Sequence, residues 1–154
     1  MSDARWFEID TAIAAAVRNF TWAGSFYGKI SAADGTEDRI LVEMAFMHAM
    51  QSGHTSLEVA LLSMLDLCEE ASPTGANRHA DPIRRAANEL GGRPAILDGT
   101  AARAADVTRR FRNVAAHAYD TFDYTQATEA VDSAVVLASL LPSEIARFRQ
   151  AIDP

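Results

Sequence analysis

Apolar residues recur every three or four positions along most of this chain, which is the spacing of one face of an α-helix. Near the start, this spacing predicts a helix over residues 3–33. No Asn-Gly or Asp-Gly turn lies between alternating apolar and polar runs, so strand signals are nearly absent. The pattern therefore predicts an all-α fold. The apolar stripe of the first predicted helix consists of Trp6, Ile9, Ile13, Val17 and Phe20.

Turn and capping residues divide the next part of the chain into two predicted helices. A possible capping box at residues 34–37 opens a second helix that runs to about Gln51. Gly53 then breaks the chain, and a similar box, formed by Thr55 and Glu58, opens a third helix with one apolar side. We therefore expect a helix break near the middle of this segment.

The chain then has a long polar loop and two further helix starts. Asp81 followed by Pro82 is a favourable start for a short helix, which is predicted to end at residues 91–92, two glycines. A new helix is predicted to start at Asp98 or Thr100.

Two more interruptions follow in the last third. Residues 120–123 interrupt the preceding helix, and a capping box at residues 123–126 opens the next one. Pro142 is expected to end that helix and to start a short terminal one. Helices joined by short loops favour an antiparallel bundle of about five helices. We expect residues 1–154 to form a single domain, since this length can bury one core.

The composition fits a globular protein in a reducing compartment. Of the 154 residues, 49% are hydrophobic, which is too large a share for a disordered chain. The one cysteine, Cys68, excludes an internal disulfide framework and a cysteine-rich zinc site. The first ten residues lack the pattern of a secretion signal, and no apolar run reaches membrane-spanning length. We therefore expect a cytoplasmic protein with no membrane partner.

The charge pattern combines an acidic chain with a local group of arginines. The formal net charge of -7 argues against a protein that coats nucleic acid through bulk electrostatics. A local phosphate site is still compatible with it, because the planar fork of arginine can bond two phosphate oxygens at once. The arginines in the middle of the chain are Arg78, Arg84, Arg85, Arg93, Arg103, Arg109, Arg110 and Arg112.

One stretch, RRFRNVAAHAYDTFDY at residues 109–124, collects most of the reactive side chains. At about 100° per residue, its polar groups fall in one sector of a helix. Ala115 and Ala116 are small enough to let another helix or a second protomer approach closely. The polar sector holds Arg109, Arg112, Asn113, His117 and Tyr119. The expected core side holds Val107, Phe111, Val114 and Ala118, or part of that set.

These residue types meet the needs of RNA cleavage without a metal ion. A base takes the proton of the 2'-hydroxyl, the resulting oxygen attacks the phosphorus, and an acid protonates the leaving 5'-oxygen. Histidine can serve as base or acid near neutral pH, and arginine can stabilise the charge of the crowded phosphorane. Taken singly, however, such residues more often make caps and surface ion pairs.

The order of these residues resembles a known family signature. Arg112, four residues, His117, one residue and Tyr119 resemble the motif of HEPN-domain ribonucleases, and FRNVAAHAY is most similar to the HepT toxin branch. The resemblance implies a helical bundle that forms a homodimer, in which the two motifs face each other and build one composite RNase site.

The resemblance also implies roles for single residues and for partners. It makes His117 the acid or base, Arg112 the phosphate ligand, and Arg109 and Asn113 supporting RNA contacts. HepT toxins are paired with a nucleotidyltransferase antitoxin that adds AMP to the motif tyrosine, here Tyr119. RNA would then be the substrate, and the resemblance implies no cofactor.

Two other functions remain open from the sequence. The chain could be a catalytically silent HEPN module that binds a nucleotide or docks a nucleotidyltransferase. Its net acidity favours this alternative, as does Ser31, since many relatives carry an acidic residue there. It could also be a plain helical dimer in which the motif is a coincidence.

Several other patterns are not expected to form sites. His48, His54 and His79 have no established metal-site spacing with Cys68 or Glu58, so we expect no metal. The acidic group Asp66, Glu69 and Glu70 is expected to be a solvated helix face. Core filling is the expected role of Met44, Met47, Met50 and Met64.

Overall fold

A computed structural model describes residues 4–117, 122–124 and 127–154 of the chain. Within these residues the regular structure is entirely helical, apart from one isolated bridge between Leu90 and Arg93. This confirms the predicted all-α fold of about five helices. The elements are α1 (Ala4–Ile30), α2 (Thr36–Leu67), a 3₁₀ helix (Gly75–Asn77), α3 (Asp81–Ala86), α4 (Gly99–His117) and α5 (Thr128–Ile152).

The long helices form a bundle in which neighbours run antiparallel. α1 packs along α2 and α5, α4 packs against α5 and α2, and α3 contacts α2 and α4. At one end of α1, Trp6 Nε1 donates to Asp153 after α5, and at the other end the Tyr27 hydroxyl contacts Thr128 at the start of α5. In the described part of the chain, no helix has both the length and the apolarity needed to cross a membrane.

The helix expected to break at Gly53 is continuous. α2 runs from Thr36 to Leu67 through this glycine, so that prediction was wrong. A Cβ at Gly53 would lie 2.7 Å from a ring carbon of Phe20 in α1. Gly53 therefore permits close helix packing, and burial of its neighbours outweighs a glycine cost of about 1 kcal/mol.

Neither predicted capping box of α2 forms. The N-cap residue is Gly35, which has no side chain that could cap the first turn. Thr55 and Glu58 lie inside the helix, where no helix start exists for them to cap. The carboxylate of Glu58 is consequently available for contacts with other elements.

The predicted break at Pro142 was also wrong. α5 continues through this proline to Ile152. A proline inside a helix removes one hydrogen bond and costs about 3 kcal/mol, but the apolar stripe of α5 extends across it. Burial of that stripe favours one continuous helix. Its buried members on both sides of the proline are Val131, Ala134, Leu137, Leu141, Ile145 and Phe148.

The start of α4 was predicted more accurately than the end of α3 and the start of α5. Asp98 Oδ1 accepts a hydrogen bond of 2.8 Å from the Ala101 amide, which confirms the helix start at Asp98. The hydrogen bond from the Ala101 amide is the main cause that lowers the pKa of Asp98 below its usual value. α3 ends at Ala86, short of the two glycines. α5 begins after Ala127 without a side-chain cap, and Gln126 of the expected capping box lies outside the described residues.

The loop between α3 and α4 is held by a buried ion pair. Arg93 is 7% exposed and binds both carboxylate oxygens of Glu70 through Nε and Nη2. The expectation that Glu70 is merely solvated was therefore wrong. Gly91 and Gly92 have φ values of 58° and 84°, which a residue with a Cβ rarely adopts, and they form the turn before Arg93.

Candidate functional site

Helix α4 presents the motif residues on its outer face. Asn113, Ala116 and His117 are exposed, and Arg112 is half-buried at the edge of this face. Val114 is also 46% exposed, so its expected place in the core was wrong. The inner face consists mainly of alanines, which bring α4 close to its neighbours. Its buried members are Ala101, Ala104, Ala105, Thr108, Phe111 and Ala115.

An aromatic cluster anchors the C-terminal part of α4. Phe111 packs edge-on against Phe46 of α2, with ring centroids 5.8 Å apart. On its other side it meets Phe122 at 5.2 Å, and Phe122 in turn meets Tyr124 at 5.3 Å. These contacts fix the helix backbone one to two turns before His117, as a precise site requires.

His117 is held at the end of α4 by its own helix. Its Nδ1 lies 2.8 Å from the Asn113 carbonyl oxygen, and a carbonyl can only accept a hydrogen bond. The proton of the neutral ring is therefore on Nδ1, and Nε2 carries the lone pair. Because His117 is exposed, Nε2 can reach a molecule at the surface. This is the tautomer that a general base needs.

The guanidinium of Arg112 is bound on one side. Nη1 lies 3.3 Å from Glu58 Oε2 on α2, and the two side chains are 26% and 16% exposed. Nε and Nη2 have no hydrogen-bond partner among the residues that the structure describes. This free edge can therefore donate two parallel hydrogen bonds to the oxygens of a phosphate.

Glu58 contacts Arg112 and His79, and a second histidine, His54, lies nearby. His79 Nδ1 lies 2.9 Å from Oε1 and 3.0 Å from Oε2. His54 Nε2 lies 3.9 Å from Oε2, which is too long for a hydrogen bond. We call Glu58, Arg112, His79 and His54 the Glu58 cluster.

His54 is the buried member of this cluster and is 1% exposed. Its Nδ1 lies 2.8 Å from Thr108 Oγ, whose own proton goes to the Ala105 carbonyl, so Nδ1 is the donor. Nε2 has no partner in the described part of the chain. Burial, followed by the positive charges of Arg112 and Arg109, lowers the pKa of His54 from 6.5 to about 3. His54 is therefore neutral at physiological pH.

The other motif arginine has a different partner. Arg109 Nη2 lies 2.8 Å from Asp106 Oδ1 within α4, and Asp106 also binds Arg110 at 3.3 Å. The structure thus brings Arg112 to Glu58 and Arg109 to Asp106. Asn113 contributes its carbonyl to His117. Tyr119, expected in the same sector, lies outside the described residues.

The sequence interpretation missed Glu58 and His79 as parts of this site. Glu58 and Arg112 are 54 positions apart, and His79 and Glu58 are 21 apart, so no local spacing joins them. The only site considered for these residues was a metal site, which was rejected, so the contacts among His79, Glu58 and Arg112 were not predicted. In the described residues, no three histidine, cysteine or acidic side chains are grouped so that they could hold a metal ion.

Four apolar side chains are exposed, three on α2 and one on α4. We call Ile40, Leu41, Met44 and Val114 the apolar patch; all four are between 46% and 58% exposed. Ile40 and Met44 border a cavity of about 590 Å³ that Phe122 also lines. The expectation that Met44 fills the core was therefore wrong, whereas Met47, Met50 and Met64 are buried as expected. Exposed apolar surface is typical of interaction sites.

Comparison with known proteins identifies the family of this chain. The family described as HepT-like protein matches residues 45–152, which include α3, α4, α5 and most of α2. No curated protein and no solved structure matches the chain. The family match therefore includes the whole Glu58 cluster and all the motif residues.

Proposed function

We propose a function from the premise that this chain belongs to the HepT-like family: it is an endoribonuclease toxin that cleaves RNA without a metal ion. The reacting groups are His117 and Arg112, and two copies of the chain complete one site. Arg109, Asn113 and Tyr119 would provide supporting RNA contacts. The cytoplasm would be its compartment.

The tautomer of His117 gives this proposal its main support. With Nδ1 bound to the Asn113 carbonyl, the exposed Nε2 is free to take the proton of an RNA 2'-hydroxyl. The 2'-oxygen then attacks the phosphorus, and the bond from phosphorus to the 5'-oxygen breaks. The free edge of Arg112 binds the phosphate oxygens while their charge increases. The products are a 2',3'-cyclic phosphate and a 5'-hydroxyl.

Two protons must move in this reaction, and each chain carries one motif histidine. A twofold dimer would place a second His117 where it can protonate the leaving 5'-oxygen. The apolar patch offers a surface for this pairing, because Val114 lies three residues before His117 on α4. Two members of the patch on α2 line a cavity with Phe122, which packs on Phe111 of α4. A dimer would also remove the exposed apolar side chains of the patch from water.

Regulation by AMP transfer follows from the same proposal. A nucleotidyltransferase partner would attach AMP to Tyr119, two residues after His117. The added phosphodiester is negative and would compete with RNA for Arg112. Bulk and charge would then block the site together.

One observation favours the second candidate, a silent nucleotide-binding or partner-docking module. Arg112 and Arg109 are each already paired with a carboxylate, Glu58 and Asp106. Such a module would bind RNA or a nucleotide weakly and cleave nothing.

Cleavage in EDTA separates the two candidates. Purified protein should cut single-stranded RNA with the metal chelated, and His117→Ala should lower the rate by at least about 100-fold, a typical contribution of acid-base catalysis. His48→Ala is the matched control, since His48 is an exposed histidine on α2. All three proteins should have the same helical circular dichroism. Binding without cleavage by wild type would support the silent module, and equal cleavage by His117→Ala would refute the assigned role.

A further inference from the structure

The Glu58 carboxylate stands in a position that the proposed reaction does not explain. It is negative, only 16% exposed, and bound to the arginine that must receive an RNA phosphate. An acid so placed repels the substrate. The contribution of Glu58 to the proposed reaction would therefore come from its effect on the orientation of Arg112.

We propose that Glu58 and His79 are positioning residues for Arg112, so that its Nε and Nη2 edge is presented to the RNA phosphodiester. Glu58 holds the guanidinium by Nη1, and His79 holds the carboxylate of Glu58. This inference rests on the proposed RNase function and deepens it.

The geometry of Arg112 supports the first part. An arginine side chain has large rotamer entropy, and an unanchored one would lose it when RNA binds. The contact from Nη1 to Glu58 Oε2 restrains the plane of the fork in advance. Nε and Nη2 form the opposite edge, which suits two parallel bonds to phosphate oxygens.

The contacts of His79 support the second part. Arg78 Nε donates to His79 Nε2 at 3.3 Å, so Nε2 carries the lone pair and Nδ1 carries the proton of the neutral ring. That proton faces both oxygens of Glu58, at 2.9 and 3.0 Å. The carboxylate thus binds both His79 and Arg112, which share its Oε2 atom, and buried His54 lies nearby.

This arrangement predicts opposite effects on binding and on rate. Glu58→Gln removes a negative charge near the phosphate, so a 2'-O-methyl oligoribonucleotide, which lacks the nucleophile, should bind as tightly or more tightly. The fork is less well fixed, however, and kcat for cleavable RNA should fall by roughly 10- to 100-fold. If Glu58 only stabilised the fold, binding and the melting temperature would fall with kcat.

His79 offers a test of positioning against proton transfer. The side-chain amide nitrogen of asparagine can take the place of Nδ1 and donate to Glu58, but it does not titrate. His79→Ala should lower kcat, and His79→Asn should recover most of the loss. If both variants are equally slow, His79 moves a proton itself and the positioning assignment fails.

A second readout keeps this inference separate from the proposed function. In wild type, NMR should show a distinct Arg112 Nε–H signal that shifts when the 2'-O-methyl oligoribonucleotide is added. In Glu58→Gln this signal should collapse toward that of a freely rotating arginine. Asp66→Asn, the same charge change at an exposed position of α2, should leave both the signal and kcat unaltered.

The outcomes of the two readouts are distinguishable. If wild type cuts no RNA but the Arg112 signal depends on Glu58, the RNase function fails and the positioning role stands. If wild type cuts RNA, and Glu58→Gln keeps both its kcat and an unaltered Arg112 signal, the positioning role is refuted.

Discussion

The stability of this protein should fall in mildly acidic solution because of one buried histidine. His54 lies between α2 and α4, donates to Thr108 Oγ, and has no room to hydrate its second nitrogen. Burial and two neighbouring arginines lower its pKa to about 3, from 6.5 in the unfolded chain. Between these two values the unfolded chain binds a proton at His54 and the folded chain does not. The stabilisation is therefore complete above pH 6.5 and declines below it.

The size of this effect follows from linkage. With a pKa of 6.5 in the unfolded chain and about 3 in the folded chain, lowering the pH from 7.5 to 5 should reduce the free energy of unfolding by about 2 kcal/mol through His54 alone. A loss of this size is a large part of the 5 to 15 kcal/mol typical of folded domains.

Urea unfolding at a series of pH values measures this contribution. His54→Asn is the informative variant, because its amide can still donate to Thr108 Oγ but cannot titrate. The variant will be less stable at every pH, yet its free energy of unfolding should fall by about 2 kcal/mol less than that of wild type between pH 7.5 and 5. The carboxylates titrate alike in both proteins and cancel in the comparison. Equal pH dependence of the two proteins would refute the buried neutral histidine.

Two further predictions concern assembly and regulation. The protein should be a dimer by light scattering at micromolar concentration, and Val114→Asp, a change at an exposed position of the apolar patch, should give folded monomers without RNase activity; an active monomer would contradict the composite site. Co-expression with a partnering nucleotidyltransferase should add AMP to the peptide that contains Tyr119, as seen by mass spectrometry, and Tyr119→Phe should stay unmodified and escape neutralisation; neutralisation of the unmodified variant would mean simple occlusion.

The helices of this protein could be predicted from the sequence, but the continuity of α2 through Gly53 and of α5 through Pro142 could not. Periodic apolar residues report a helix directly, because burial of one face is what stabilises it. Gly53 and Pro142 are local signals for a helix end, but both lie within helices whose apolar faces continue across them. Tertiary burial outweighed the local preference at both positions, and only the packed structure reveals that Phe20 occupies the space beside Gly53.

The candidate site also has a part that the sequence predicts and a part that only the packed structure reveals. Arg112 and His117 are on one helix, so their spacing along the sequence already places them on neighbouring faces. Glu58 reaches Arg112 from α2, and His79 reaches Glu58 from the loop before α3. No periodicity connects these elements. The helical projection placed Val114 in the set opposite the polar sector, yet the alanines of α4 bring a different face inward and Val114 is exposed.

The acidity of the chain and a phosphate-binding role are compatible because the arginines are paired individually. Arg112, Arg109 and Arg93 each have a carboxylate partner, in Glu58, Asp106 and Glu70. Arg93 is buried, and its three guanidinium nitrogens all donate hydrogen bonds, so its role is to stabilise the fold. Arg112 differs, because its contact with Glu58 uses only Nη1 and leaves the Nε and Nη2 edge without a partner among the described residues. This side chain also lies beside the exposed face of α4. Under the proposed function, RNA affinity would then depend on a few well-oriented contacts and little on overall charge, which would help the proposed enzyme to release its products.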